Sequence, residues 1–136
     1  AAMLQGEQVF INGDGETSRD FCYIENTVQM NLLAATANEK ARNQVYNCAV
    51  GDRTTLNDLY QAIKKVLEEL GVSVTPKQPE YRHFRAGDVR HSQAEVSKAQ
   101  KSLGYVPSHR ISEGIEEAMY WYKSYFEVKV GFDYGR

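Results

Sequence analysis

Cysteine and proline are scarce in this sequence, and long hydrophobic runs are missing. Its 136 residues include two cysteines, Cys22 and Cys48, and three prolines. Two cysteines are too few for a disulfide framework or a zinc site, so a reducing cytoplasm is the default expectation. No apolar run approaches the ~20 residues that cross a bilayer, and no charged-then-apolar leader precedes a small-residue cleavage site, so no membrane association is expected. Charge of one sign is lacking as well. Sixteen basic and 18 acidic residues leave a net charge of -2, which argues against a dedicated nucleic-acid binder. Repeats, low-complexity tracts and long linkers are also absent. What remains, 42% hydrophobic and 25% charged, fits one globular domain and excludes collagen-like and disordered classes. A chain of this length can bury roughly two thirds of its unfolded surface. It opens Ala1-Ala2-Met3-Leu4, with no initiator, and reads as part of a larger protein or a processed product.

Residues 8–12 suit a short strand that runs into the stacked turn signals of Asn12-Gly13-Asp14-Gly15. Extended or irregular chain is expected over 19–24 and a helix over about 26–37, with Val28, Leu32, Leu33 and Ala35 apolar. Residues 45–50 form a nearly continuous apolar run, the pattern of a parallel strand covered on both faces. The periodicity is clearest over 55–70. Leu56, Leu59, Tyr60, Ile63, Val66, Leu67 and Leu70 recur at three- and four-residue spacing, Thr55 to Asp58 has capping-box spacing, and Gly71 marks the stop. Residues 73–84, interrupted by Pro76 and Pro79, read as an edge strand. Helices are expected over about 95–103, ending at Gly104, and about 112–126, with Ile115, Met119, Tyr122 and Phe126 on one stripe and 127–136 left as a tail.

Four constellations could carry chemistry. Gly13-x-Gly15-x-x-Ser18 echoes a dinucleotide-binding loop, but the third glycine is missing and Arg19-Asp20-Phe21 does not open an amphipathic helix, so a turn is the better reading. Tyr-x-x-x-Lys, the spacing by which a lysine lowers a tyrosine pKa in reductases, occurs at Tyr60 and Lys64 and at Tyr125 and Lys129. Tyr60 falls on the apolar stripe and should be core. His83, His91 and His109 lack metal-ligand spacing and read as surface or loop residues. The fourth is the segment from Tyr81 to His91, which holds three of the eight arginines around Gly87 and Asp88. Guanidinium groups bind phosphate bidentately, and a carboxylate can accept from sugar hydroxyls. Arg19 offers a second positive arm. A solvated basic loop is the plain alternative. With a negative net charge, a phosphate-bearing small ligand suits this cluster better than nucleic acid.

Three stretches taken together carry a resemblance: Ile11 through Ile24, Tyr46 through Gly51, and Arg85 through Ser92 continuing to Leu103-Gly104-Tyr105. In order and spacing they resemble the C-terminal portion of extended short-chain dehydrogenase/reductases, and most nearly the UDP-N-acetylglucosamine 4-epimerases, over about residues 1–126. The resemblance implies a mixed α/β fold: the substrate-binding lobe of an enzyme whose separate Rossmann domain binds NAD. It implies that Arg19 and Arg85 contact the diphosphate, that Asp88 holds the ribose hydroxyls, and that the strand around Phe10 and Asn12 lies against uracil. Ser92 matches a position where some relatives carry tyrosine, and a small residue there leaves room for an N-acetyl group. Ser92 also has capping-box spacing to Glu95, so a helix N-cap is the competing role. Glu25 stands where relatives often have aspartate.

The family's Gly-rich NAD loop and catalytic Tyr-x-x-x-Lys lie upstream of the matching portion, so this chain alone is expected neither to bind NAD nor to epimerise. The leading expectation is the UDP-sugar-binding portion of a UDP-N-acetylhexosamine 4-epimerase serving polysaccharide synthesis. The alternative is a stand-alone nucleotide-sugar-binding or self-associating remnant, with residues 45–50 as an exposed edge that could pair with a second copy.

Overall fold

In the computed structural model, residues 1–76 and 78–133 are described, with side chains as far as Glu127. The elements in chain order are α1 (Ala2–Gln5), β1 (Phe10–Asn12), β2 (Ser18–Arg19), α2 (Ile24–Ala35) and β3 (Thr54–Thr55). There follow α3 (Leu56–Glu69), β4 (Glu80–Arg82), α4 (Ser97–Leu103) and α5 (Ile111–Asp133). This is a mixed α/β architecture with small sheets. The chain divides into two compact units. The first holds Ala1–Thr17, Thr55–Val89 and the chain from Ile115 onward; the second holds Ser18–Thr54 and Arg90–Gly114.

In the first unit, β1 and β4 pair in parallel, Phe10 opposite Glu80, Ile11 opposite Tyr81 and Asn12 opposite Arg82. Two further backbone bonds extend the ladder at its ends, Glu80 N–H to the Val9 carbonyl (2.9 Å) and Gly13 N–H to the Arg82 carbonyl (2.8 Å). Helix α3 forms as its sequence dictates. The Thr55 hydroxyl accepts from the Asp58 N–H (3.0 Å) and donates to the Asp58 carboxylate (2.7 Å), while Gly71 takes a left-handed φ of 80° just past the end. Tyr60 and Leu67 are buried from this helix, and Met3, Ile11, Val74, Ile115 and Met119 complete the core. Tyr60 is therefore a core residue and not one half of a reductase pair. Helix α5 runs past the expected end at 126, and Trp121 stacks on Tyr125 with centroids 5.2 Å apart on its exposed side. The expected strand over 73–84 contracts to β4.

In the second unit, Met30, Ala99 and Tyr105 are buried, with Leu33, Tyr46, Cys48 and Leu103 packed against them. Helix α2 begins two residues before the expected start. Asn26, fully buried within it, turns its side chain away from the helix. Its oxygen accepts from the N–H of Ser108 (2.8 Å) and of His109 (3.1 Å), and its amide donates to the His109 carbonyl. The face of α2 that is buried carries Asn26 and Met30, and the apolar Val28 and Leu32 are exposed.

Two expectations are corrected here. Residues 45–50 are not a strand. Three of their backbone groups are bonded to side chains from distant positions. The Lys98 ammonium donates to the Val45 carbonyl (2.9 Å), the Tyr105 hydroxyl donates to the Ala49 carbonyl (2.8 Å), and the Val50 N–H donates to Asp20 (3.0 Å). The basis for self-association through a strand edge at 45–50 goes with it. Helix α4 starts at Ser97, not 95, because the Glu95 carboxylate accepts from the Ser97 N–H (2.7 Å). Ser92 is thus too far upstream to be the N-cap. Gly104 closes α4 with a φ of 70°, as its position suggested.

Candidate functional site

The six candidate residues fall into two groups, one in each unit. Phe10, Asn12, Arg85 and Asp88 belong to the first. With its amide assigned so that the oxygen faces Arg85, Asn12, at the end of β1, accepts from the guanidinium Nε at 2.8 Å and Nη2 at 3.2 Å. Two hydrogen bonds converging on one oxygen fix the plane of a guanidinium as well as its position. Arg85 nevertheless lies in a run, 81–93, whose residues are all solvent-exposed, so its charge remains available to a ligand. Asp88 follows at the far side of a tight turn, its N–H donating to the Arg85 carbonyl (3.3 Å) across Gly87, which takes a φ of 78°. A turn of this kind needs a left-handed residue at its third position, and glycine adopts it without strain. Phe10 carries the Arg82 guanidinium over its ring, 3.3 Å from the centroid.

The floor around these residues is built by contacts that the one-dimensional pattern did not display. The Phe84 ring covers Gly13 so closely that a Cβ there would overlap it, and the Asn57 side chain covers Gly15 in the same way. Asn57, in the first turn of α3, donates to the Glu16 carboxylate (2.7 Å) and the Asp14 carbonyl (3.2 Å) and accepts from the Tyr81 hydroxyl (2.8 Å). The glycine segment therefore leads through a turn into β2, not into a helix, as a dinucleotide loop would require.

Arg19 and Ser92 belong to the second unit and meet at one backbone group. The Ser18 carbonyl accepts from Arg19 Nη1 (2.8 Å) and from the Ser92 N–H (3.1 Å). Ser18 also donates its N–H to the Arg90 carbonyl (3.0 Å), and its buried hydroxyl lies 2.9 Å from His91 Nδ1. Asp20 anchors the arm from below. Its carboxylate accepts from the N–H groups of Val50 (3.0 Å), Gly51 (3.0 Å) and Ala94 (3.2 Å). Nothing in the local sequence announces these roles for Asp20, Ser18, His91 and Asn57, because each acts on groups 24 or more positions away. Ser92 is exposed, so a small side chain there leaves open space. His83 and His91 lie in the exposed run, and His109 sits in a loop with its ring against Tyr23.

The scaffold is of the mixed α/β class, with Arg85 beside a glycine turn in the first unit and Arg19 on β2 in the second. Comparison with known proteins specifies the class. The chain belongs to the family described as GDP-mannose 4,6 dehydratase, whose model matches residues 1–118, and it is a portion of an extended short-chain dehydrogenase/reductase. It is similar to the UDP-glucose 4-epimerase of Thermotoga maritima solved with UDP-glucose, at 35% identity and TM-score 0.80, covering 91% of this chain and 37% of that one. It is also similar to the UDP-N-acetylglucosamine 4-epimerase of Methanobrevibacter ruminantium solved with UDP-N-acetylmuramic acid, at 34% identity and TM-score 0.78, covering 90% and 37%. A third relative is a mutant UDP-glucuronic acid 4-epimerase of Bacillus cereus solved with a fluorinated UDP-glucuronic acid and NAD, at 26% identity and TM-score 0.72, covering 84% and 34%. The chain spans 36% and 37% of the length of the first two curated relatives it matches. Among the described residues, no helix is long and apolar enough to cross a membrane.

Proposed function

We propose that this chain supplies the UDP-sugar-binding portion of an NAD-dependent UDP-N-acetylhexosamine 4-epimerase. The observation that carries the reading is the Asn12–Arg85 fork, which holds a cation ready in an exposed loop without neutralising it. In this reading Arg85 and Arg19 each contact the diphosphate, Asp88 accepts from the ribose hydroxyls, and Phe10 with Asn12 faces the uracil. Ser92 accommodates the N-acetyl group. The residues present do not fit an NAD-binding loop, since Gly13 and Gly15 are covered by Phe84 and Asn57 and lead into a strand, so cofactor chemistry is assigned to the whole protein and not to this chain. A nucleotide-sugar-binding module without turnover is the runner-up, and it uses the same residues.

An amide NMR titration tests the reading. UDP-N-acetylglucosamine is expected to shift the signals of Asn12, Arg19, Arg85 and Asp88, with a dissociation constant in the millimolar range, equivalent to about -4 kcal/mol. NAD is expected to shift none of them. Replacing Ser92 with tyrosine should weaken UDP-N-acetylglucosamine more than UDP-glucose. A spectrum that ignores both UDP-sugars sinks the proposal.

A further inference from the structure

The second unit contains a pair of groups that nucleotide-sugar binding does not use. The Sγ atoms of Cys22 and Cys48, 26 residues apart in the chain, lie 3.9 Å from each other, and both cysteines are half-buried free thiols. The Thr27 hydroxyl touches both, at 3.7 Å from Cys22 and 3.9 Å from Cys48, and Cys48 also approaches the Asn26 carbonyl at 3.8 Å. The two segments that carry the thiols are fixed independently of sulfur. Asp20, two residues before Cys22, binds the Val50 and Gly51 amides just beyond Cys48, and Tyr105 holds the Ala49 carbonyl. The thiols are thus held face to face by hydrogen bonds on either side of them. A disulfide bond is ~2.05 Å long, so its formation asks for about 1.9 Å of approach between the two sulfurs.

We propose that Cys22 and Cys48 are a redox-modification site, closing to an intrachain disulfide with hydrogen peroxide as oxidant. Burial, reinforced by Cys48 beside it, pushes the Cys22 thiol above its ordinary range against the opposing Thr27 hydrogen bond. One of the two sulfurs, as the thiolate, attacks peroxide, an S–O bond forms, the O–O bond breaks, and hydroxide leaves and is protonated to water. The other sulfur then attacks this sulfenic acid. The S–S bond forms, the S–O bond breaks, and the departing hydroxide takes the proton of the attacking thiol as a second water. Two thiols are oxidised to one disulfide while one peroxide is reduced to two waters, and a dithiol reductant reverses the change. The cross-link ties the segment following Arg19 to the segment Asp20 clamps.

The test treats the full, folded chain with hydrogen peroxide, blocks remaining thiols with iodoacetamide and analyses the intact and trypsin-digested protein by mass spectrometry. The expected product is lighter than the reduced chain by two hydrogens, carries no alkylated cysteine, and yields a cross-link between the tryptic peptides 20–40 and 43–53. Dithiothreitol should restore both thiols. The Cys22→Ser chain should stop at a sulfenic acid on Cys48 that dimedone traps. Oxygen added to either cysteine of the unaltered chain without a cross-link, or disulfide-linked dimers in its place, overturns the proposal. The unaltered chain decides the outcome even where a serine variant fails to fold, and its oxidation is independent of UDP-sugar binding.

Discussion

At the scale of single residues, the candidate site depends on groups that orient charge and on groups that hold the orienting backbone. Arg85 is the first kind. Removing its side chain takes away a charge-assisted bidentate partner worth about 1.5–3 kcal/mol, so Arg85→Ala should weaken binding of a UDP-sugar by roughly 10- to 100-fold. The side chain is exposed, so folding stability should stay within about 0.5 kcal/mol of the parent. Asp20 is the second kind. Its carboxylate accepts three backbone N–H groups, from Val50, Gly51 and Ala94, and Asp20→Ala leaves all three without that acceptor. The expected cost is about 3 kcal/mol or more, read as a lower urea midpoint at unchanged slope. A variant that unfolds at the parental midpoint would show that the clamp is replaceable. Tyr105→Phe removes one buried hydrogen bond, to Ala49, and leaves an unpaired carbonyl, which should cost about 1–3 kcal/mol.

At the scale of elements, legibility followed the distance over which each element is specified. Helix α3 was readable because its cap, stripe and stop all lie within one stretch, from Thr55 to Gly71. Thr55→Ala should cost it about 1 kcal/mol, measurable by denaturant unfolding. The end of α4 at Gly104 was legible for the same local reason. Residues 45–50 were not, because an apolar run specifies burial and not the partner of its backbone. That partner turned out to be side chains of Lys98, Tyr105 and Asp20. In α2 the apolar positions do not mark the buried face. Val28 and Leu32 are exposed, while Asn26 is buried to organise the loop at Ser108 and His109. For the candidate site, the arginines, Asp88 and the glycine turn could be found from residue type and spacing. The Asn12–Arg85 fork could not, since it joins positions 73 residues apart in the sequence. The start of α4 also carries a pH dependence. Hydrogen bonds from Ser97 hold the Glu95 carboxyl below its ordinary value, so its contribution is present above about pH 4.5 and is lost as pH falls through the lower folded value. Helix α4 should fray under acid, seen as faster amide exchange at Ser97 and its neighbours.

At the scale of the whole molecule, stability should also decline under alkaline conditions. Burial pushes the Tyr105 hydroxyl far above its ordinary value near 10, with Cys22 and Cys48 adding to the shift, and burial raises Tyr60 as well. A phenol whose folded value is raised stabilises the folded state fully below its unfolded value, and that contribution is lost as pH rises through the folded one. Denaturant midpoints should therefore hold up to about pH 10 and fall beyond it. Absorbance titration of the nine tyrosines should show most ionising in an ordinary first phase and the buried ones only as the chain unfolds. A single phase with all nine ionising while the chain remains folded would contradict the burial of Tyr60 and Tyr105.

The proposed function stands or falls on whether an oriented Arg85 in this chain receives the diphosphate of a UDP-sugar. Calorimetric titration of UDP into the chain and into its Arg85→Ala variant, side by side at low salt, asks that question with no other step between. Millimolar binding to the parent and a loss of at least roughly 10-fold in the variant are expected, with thermal unfolding unchanged. Equal affinity for the two folded chains would contradict the assignment.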